Sequence, residues 1–298
     1  MVNTLLTGAN GFLGSSIKEE LVSDFNVKTL SRNSADYQVS LEKDKLDFIE
    51  NFDLIIHAAG KAHSVPKTES EIKKFYDVNV SGTSNLLKAL EKSLPKEFVF
   101  ISSVSVYGQE TGKNINENHP LLANDPYGLS KIKAEEIVKK WCHENNVICT
   151  ILRLPLLVGK KAPGNLGAMV KAIEKGYYFN IGGGKAKKSM ILVKDVALFI
   201  KIVKSVGGIY NITDGIHPDF NQLSLMISKN KKQQFDLPIN VALFLGKIGD
   251  ILGNRFPVNS SKIKKITSDL TFDDSKARTF LKWNPHSVLE YLEKESIN

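Results

Sequence analysis

Along the first half of the chain, continuous apolar runs alternate with stretches in which apolar residues recur every three or four positions. Residues 2–7 (VNTLLT) read as a buried strand, and Leu13, Ile17 and Leu21 then follow at four-residue spacing, as one face of a helix requires. Further strands are predicted at 27–30, at 37–41 and at 53–58 (DLIIHA). Between residues 69 and 92, Ile72, Phe75, Val80, Leu86, Leu87 and Leu90 predict one long helix, and 98–102 (FVFIS) is the next strand. Tyr127 opens another helix, whose inward face carries Ala134, Val138 and Trp141, before the strand 147–152 (VICTIL). Strands without polar alternation belong to a parallel sheet covered on both faces. Strict strand–helix alternation therefore predicts an α/β, doubly wound (Rossmann) parallel sheet with right-handed crossovers.

After Pro155 the rhythm breaks. Residues 159–167 (GKKAPGNLG) look like a loop, and 207–215 (GGIYNITDG) like one more strand returning to the sheet. Phe220, Leu223, Met226 and Ile227 predict a helix, a second is expected at 241–252, and a basic segment (KIKKITSDL) follows. The expected organisation is a dinucleotide-binding domain of residues 1–156 plus about 190–214. A smaller, discontinuous C-terminal substrate domain would hold about 157–189 plus 215–298.

A length of 298 residues with 42% hydrophobic content is enough for a substantial core, which excludes a disordered or fibrous chain. The start MVNTLLTGANG has no basic or apolar leader, and no run of 18 apolar residues occurs, so a soluble, cytoplasmic protein without membrane insertion is expected. Cys142 and Cys149 are too few for a disulfide framework or a metal site, and no metal is expected. The net charge of +8 comes from scattered lysines, denser at Lys185, Lys187 and Lys188 and at Lys262, Lys264 and Lys265. Without a recognisable reading module it does not indicate nucleic-acid binding, whereas a few such lysines suit small phosphorylated ligands.

Three stretches carry chemistry. In TLLTGANGFLG (4–14), Gly8 permits a tight bend, Gly11 lets the backbone approach a pyrophosphate, and Gly14 allows close packing of helix on strand. The helix beginning near Phe12 would aim its free amides at the anion. In YGLSK (127–131), a phenol and an ammonium stand one helical turn apart, at roughly 5 to 6 Å. A cation there is expected to lower the phenol pKa from ~10 toward neutrality, which makes Tyr127 a proton carrier. In FISSVSVYG (100–108), hydroxyls fall at the C-terminal end of a parallel strand, where open α/β sheets bind ligands, and Ser102, Ser103 or Ser105 could hold a reacting oxygen.

Together with HAAG (57–60), VNVSGT (78–83), LRLP (152–155) and GNL (164–166), these stretches resemble the extended short-chain dehydrogenase/reductases. Within that family they resemble the NAD(P)-dependent sugar-nucleotide epimerases, dehydratases and reductases, over nearly the whole chain. The resemblance implies Tyr127 as acid/base, Lys131 as its tuner and a ribose ligand, and Ser103 as the hydroxyl that orients the substrate oxygen. It implies a dinucleotide held by Gly8, Asn10, Gly11, Phe12, Leu13, Gly14, Ala58, Ala59, Gly60, Lys131 and Pro155, with Asn79 bracing the sheet nearby. Asn165 and Leu166 match residues that touch the substrate nucleotide, and Lys188 replaces an arginine on the substrate diphosphate, giving a point charge without the bidentate fork. His63 is expected to face the cleft.

Three departures bear on the reaction. Dehydratases of this group carry an Asp-Glu pair after the catalytic hydroxyl, where this chain has Val104 and Ser105, which disfavours dehydration. At the end of the second strand TLSRN offers Arg32 rather than an acid, which favours NADP(H) over NAD(H) through a 2′-phosphate. Ser40 stands where relatives often have an Asp on the adenine. On this reading the enzyme reduces a UDP-4-keto-6-deoxy-N-acetylhexosamine for surface polysaccharide. The alternatives are a UDP-sugar 4-epimerase with tightly bound NAD and a non-catalytic dinucleotide sensor, the latter disfavoured because Tyr127 and Lys131 are both present. Relatives frequently dimerise through the helices that include the Tyr/Lys one, and a homodimer is compatible with the sequence.

Overall fold

A computed structural model of the chain describes residues 1–62, 66–229, 234–253 and 259–295, so His63 lies outside the described residues. The N-terminal half runs β1 (Val2–Thr7), α1 (Phe12–Leu21), β2 (Phe25–Ser31), β3 (Tyr37–Gln38), β4 (Leu54–His57), α2 (Glu69–Tyr76), α3 (Gly82–Leu90) and β5 (Glu97–Ser103). It continues through β6 (Gly112–Ile115), α4 (Pro126–Glu144) and β7 (Ile148–Leu154). The remainder comprises β8 (Leu156–Val158), α5 (Gly164–Glu174), β9 (Phe179–Ile181), β10 (Met190–Leu192), α6 (Val193–Val203) and β11 (Gly208–Asn211). Last come α7 (Phe220–Ile227), β12 (Phe235–Leu237), α8 (Ile239–Leu252), α9 (Ser260–Thr267), β13 (Leu270–Phe272), α10 (Ser275–Leu281) and α11 (Val288–Lys294).

Seven strands form one parallel sheet in the order β11-β7-β5-β4-β1-β2-β3. The chain begins in the middle of the sheet, winds outward to β3 and then returns through β4 to the other side. The direction therefore reverses between β1 and β4, and their carboxyl ends open a crevice there. One face of the sheet is covered by α1 and α6, which bury Leu13, Ile17, Leu21, Val196, Phe199 and Ile200 with Leu6 and Ile56. The other is covered by α3 and α4, through Leu86, Leu87, Leu90, Ala134, Val138 and Trp141 with Leu5, Ile55 and Phe98. Each such fully buried aliphatic or aromatic side chain is worth about 1.5–3 kcal/mol relative to exposure, so the four-residue spacing of the apolar positions suffices to dock these helices.

A third apolar cluster, built from α5, α7, α11, β8 and β10 around Leu166, Met169, Met190, Leu223 and Val288, lies beyond the sheet's carboxyl end. Three two-stranded parallel ribbons, β8 with β10, β9 with β12 and β6 with β13, tie this C-terminal part together.

Three expected elements differ from those observed. The third strand keeps only Tyr37 and Gln38, because the chain turns at Ser40, whose amide donates to Asp44 Oδ2 at 2.6 Å. The long helix over 69–92 is two α-helices joined by a π-helical turn, Asp77–Ser81. The loop expected over 159–167 ends at Pro163, and Gly164 already starts α5 because Leu166, Met169, Val170 and Ile173 repeat at helical spacing.

Candidate active site

The first wall of the crevice is the β1–α1 turn. Gly8 has φ +71° and lies so close to the end of β4 that a Cβ there would stand 2.6 Å from the Ala59 nitrogen. A Cβ on Gly14 would stand 2.1 Å from the Gly8 carbonyl oxygen, so helix and turn touch backbone to backbone. Gly11 is the N-cap of α1, with no side chain capping the helix and no acid in the first turn. Its leading amides and positive dipole end thus face the crevice, a seat for an anionic group. Asn10 ties this turn to the segment after β2, its Nδ2 donating to the carbonyls of Asn33 and Ser34. Phe12 and Leu13 turn their side chains into the cores instead, so only their backbones line the turn. Arg32 is exposed just past the end of β2.

The HAAG stretch is fixed from below. His57 is fully buried, with Nδ1 2.7 Å from Thr7 Oγ1 and Nε2 2.9 Å from Thr83 Oγ1, while the Ala59 amide donates to Thr7 Oγ1 at 3.2 Å. Burial, with the Lys131 charge nearby, pushes the His57 pKa down to about 3. The imidazole is neutral throughout the physiological range and acts as a clamp between β1, β4 and α3.

Opposite lies α4. Asp125 accepts from the Tyr127 and Gly128 amides at 3.1 Å each, and Pro126 holds the first helical position, so Tyr127 enters in the first turn at a fixed angle. From there the inward face repeats every fourth residue as Tyr127, Lys131 and Glu135. Lys131 is 6% exposed, its Nζ donating to the Ile101 carbonyl at 2.8 Å and lying 4.8 Å from the Phe100 ring centroid. Gly60 faces the same ammonium, since a Cβ there would stand 3.3 Å from Lys131 Nζ and 3.2 Å from Asn79 Oδ1. Asn79, on the π-helical turn, accepts from the Lys61 amide at 2.7 Å and donates to Ser130 Oγ at 2.9 Å, bracing this corner.

Ser103 ends β5, and its Oγ lies 3.1 Å from that of Ser105 and accepts from the Ser105 amide at 3.2 Å. The expectation that Lys131 depresses the phenol is corrected here. Burial pushes the Tyr127 pKa up from its usual value, while the Ser103 hydroxyl beside it pulls the other way, and the lysine is turned to the Ile101 carbonyl. The lysine itself is displaced, because burial lowers its pKa to about 8.

Some sequence candidates stand apart. Pro155 is buried in the short link between β7 and β8. Asn165 is exposed on the first turn of α5, whereas Leu166 is 2% exposed and packs in the third apolar cluster, leaving only its backbone for a ligand. Lys188 Nζ donates to the carbonyls of Lys265 and Ser268 at 2.8 Å each. An ammonium has three protons, so one donor remains for an anion.

The sequence reading missed a buried chain of polar groups beneath the site. Glu135 is fully buried, accepts from Ser102 Oγ at 2.6 Å, and receives the Arg153 guanidinium through Nε at 3.1 Å and Nη2 at 2.7 Å. Arg153 Nη1 reaches the Tyr107 hydroxyl at 3.2 Å, which donates to Asn211 Oδ1 at 2.7 Å. Asn211 Nδ2 in turn donates to the Ile115 and Asp273 carbonyls. The available signal was a charge inside an apolar strand, Arg153 in ILRLP, with an acid on the inward face of α4. Among the described residues no cluster of His, Cys, Asp and Glu could hold a metal ion.

With this geometry in place, the chain can be compared with known proteins. The NAD dependent epimerase/dehydratase family model matches residues 4–213. The chain belongs to this family. Over 98% of its length it is 32% identical to the N-acetyl-alpha-D-glucosaminyl-diphospho-ditrans,octacis-undecaprenol 4-epimerase of Escherichia coli O157:H7, covering 93% of that relative. It is 26% identical to the UDP-glucose 4-epimerase of Vibrio cholerae over 96% of the chain and 92% of the relative. The fold is also that of the UDP-glucuronic acid 4-epimerase from Bacillus cereus in complex with NAD, with TM-score 0.76, 18% identity, and coverage of 98% and 94% of the two chains. As a member of the family, the chain is an NAD-dependent enzyme of the sugar-nucleotide type, and its glycine turn, uncapped helix and Gly60–Lys131 corner fit a nicotinamide dinucleotide.

Proposed function

We propose that this enzyme epimerises C4 of an N-acetylhexosamine carried on a diphosphate, in preference to the reduction of a 4-keto sugar expected from the sequence. The observation that supports epimerisation is the extent of the likeness to a diphosphate-sugar 4-epimerase, nearly end to end at 32% identity. The bound dinucleotide would supply a hydride acceptor that returns what it takes. The chain's own residues do the rest. Ser103 donates to the C4 oxygen, and Tyr127 as its phenolate takes the proton from the C4 hydroxyl as the hydrogen on carbon departs, becoming the phenol that returns that proton after the sugar has turned its other face. Lys131 donates to the ribose hydroxyls from its buried position under Gly60 and supplies positive charge to the proton carrier. Lys188, with its free donor, meets the substrate diphosphate, and Asn165 with the Leu166 backbone lines the carrier end of the site.

Because burial lowers the Lys131 pKa to about 8, its ammonium is lost as pH rises through that value, and dinucleotide affinity is expected to fall with it. Isothermal titration between neutral and alkaline pH should show this decline, and Lys131→Met should abolish the dependence while weakening binding at neutral pH. Arg32 is the group that reaches a 2′-phosphate. Its change to Ala is expected to weaken NADP(H) by about tenfold or more and leave NAD(H) within a factor of about two, measured by fluorescence titration.

The reading is tested by incubating the enzyme, without added cofactor, with UDP-N-acetylglucosamine and following the sugar signals by NMR. Appearance of the C4 epimer supports it. Turnover only when NADPH and a 4-keto sugar are supplied would return the reductase reading.

A further inference from the structure

Helix α8 is inside out. Its small residues Ala242, Gly246 and Gly249 face the protein, and Gly246 sits so close to α9 that a Cβ there would stand 2.7 Å from Ile263 Cδ1. Its bulky apolar residues face outward: Phe244 is 64% exposed and Ile251 85%, with Ile239, Val241, Leu243 and Leu252 also exposed. The neighbouring ribbon extends the patch, since Phe235 of β12 and Phe179 of β9 are register partners and both are exposed. Ordinary surface helices turn such residues inward, and a contiguous apolar patch of this kind marks an interaction surface.

Charge identifies the occupant. Helix α9, packed directly on α8, carries exposed Lys262, Lys264 and Lys265, the last paired with Glu110 at 2.8 Å, and α8 adds exposed Lys247 beside one acid, Asp250. An apolar helix edged by lysines matches an anionic lipid surface, into whose headgroup layer such side chains sink while the lysines meet phosphates. A second copy of the chain would bring the same lysines to the contact. With 14 residues, α8 is too short to span a bilayer, and no described helix is long and apolar enough to cross one, so it would lie in the interface plane.

The patch is wired to the site. Lys188, assigned above to the substrate diphosphate, donates to the Lys265 and Ser268 carbonyls at the end of α9. Resting on the epimerase reading, we propose that α8 and α9 dock the enzyme on an anionic membrane surface, where it takes a sugar whose diphosphate is anchored by a polyprenyl chain. Such a diphosphate lies at headgroup depth, and a docked α9 presents Lys188 to it.

The test uses the full chain and a Phe244→Glu/Ile251→Glu variant, both positions lying on the outer face of α8 and away from the catalytic groups. In co-sedimentation, the unmodified enzyme should bind vesicles of phosphatidylglycerol with phosphatidylcholine and be released by salt. The variant should bind about tenfold or more weakly and lose, by a similar factor, epimerisation of polyprenyl-diphospho-N-acetylglucosamine held in those vesicles. Its epimerisation of UDP-N-acetylglucosamine in solution should be unchanged. Equal binding by both proteins, no binding by either, or a dimer in sedimentation velocity that the variant dissociates would overturn the docking proposal. Vesicle binding without epimerisation of either sugar would leave docking intact and reject the epimerase reading instead.

Discussion

Replacing Tyr127 with Phe is expected to lower C4 epimerisation by about two orders of magnitude or more, because a positioned proton carrier contributes roughly 10²–10⁴-fold. The ring would still pack near Phe75, whose centroid lies 6.1 Å away, and the glycine turn would be untouched. Dinucleotide affinity, read by titration, should therefore barely change, which separates loss of the proton carrier from loss of the site. Burial holds the phenol above its usual pKa. Proton abstraction needs a depressed phenol, and on the proposed mechanism the Lys131 ammonium would supply that opposing shift with the dinucleotide bound. A kcat–pH limb assigned to the phenol should accordingly lie below the phenol pKa found by spectroscopic titration of the ligand-free enzyme. Turnover of Tyr127→Phe at the unmodified rate would remove the phenol from the mechanism.

The second large effect is expected at Glu135. Its carboxylate is sealed under the site against Ser102 and a two-nitrogen contact from Arg153. Changing it to Ala strands a buried guanidinium, which typically costs about 3–5 kcal/mol, and should shift the urea midpoint downward accordingly. Because α4 carries Tyr127, Lys131 and Glu135 on one face, the loss should also loosen the catalytic group relative to β5. The paired change Glu135→Leu with Arg153→Met removes both charges and should recover much of the stability. If Glu135→Ala unfolds at the same denaturant concentration as the unmodified chain, the buried pair is not the fastening inferred here.

What the sequence made legible was set by periodicity and by local backbone demands. The parallel sheet, α1 and α4 could be read because fully apolar strands and four-residue repeats have few other solutions. The glycine turn was equally readable, since Gly8 and Gly14 occupy places where a Cβ would meet backbone. The break in the long helix at Asp77–Ser81 was not, because a π-helical turn preserves the apolar face while inserting a residue. Which way Lys131 points was also hidden: helical spacing brings it beside Tyr127, but the Ile101 carbonyl, thirty residues away in sequence, holds its ammonium. The Glu135–Arg153–Tyr107–Asn211 chain joins four separate elements, and in sequence it is marked only by the charge of Arg153 within an apolar strand and an acid on the inward face of α4. The outward apolar face of α8 reads in sequence as an ordinary core helix, and only the packing of its small residues on α9 reverses it.

Epimerisation at C4 is read most directly by proton NMR of the products, with nicotinamide absorbance followed in the same sample, on enzyme given a diphosphate-linked N-acetylglucosamine and no added cofactor. Epimerisation through a bound dinucleotide gives approach to a fixed ratio of the gluco and galacto epimers, reached from either side, with no net change in absorbance and with the rate collapsing in Tyr127→Phe. Stoichiometric oxidation of added NADPH to give one C4 configuration from a 4-keto sugar, with no interconversion of the two epimers, would contradict it.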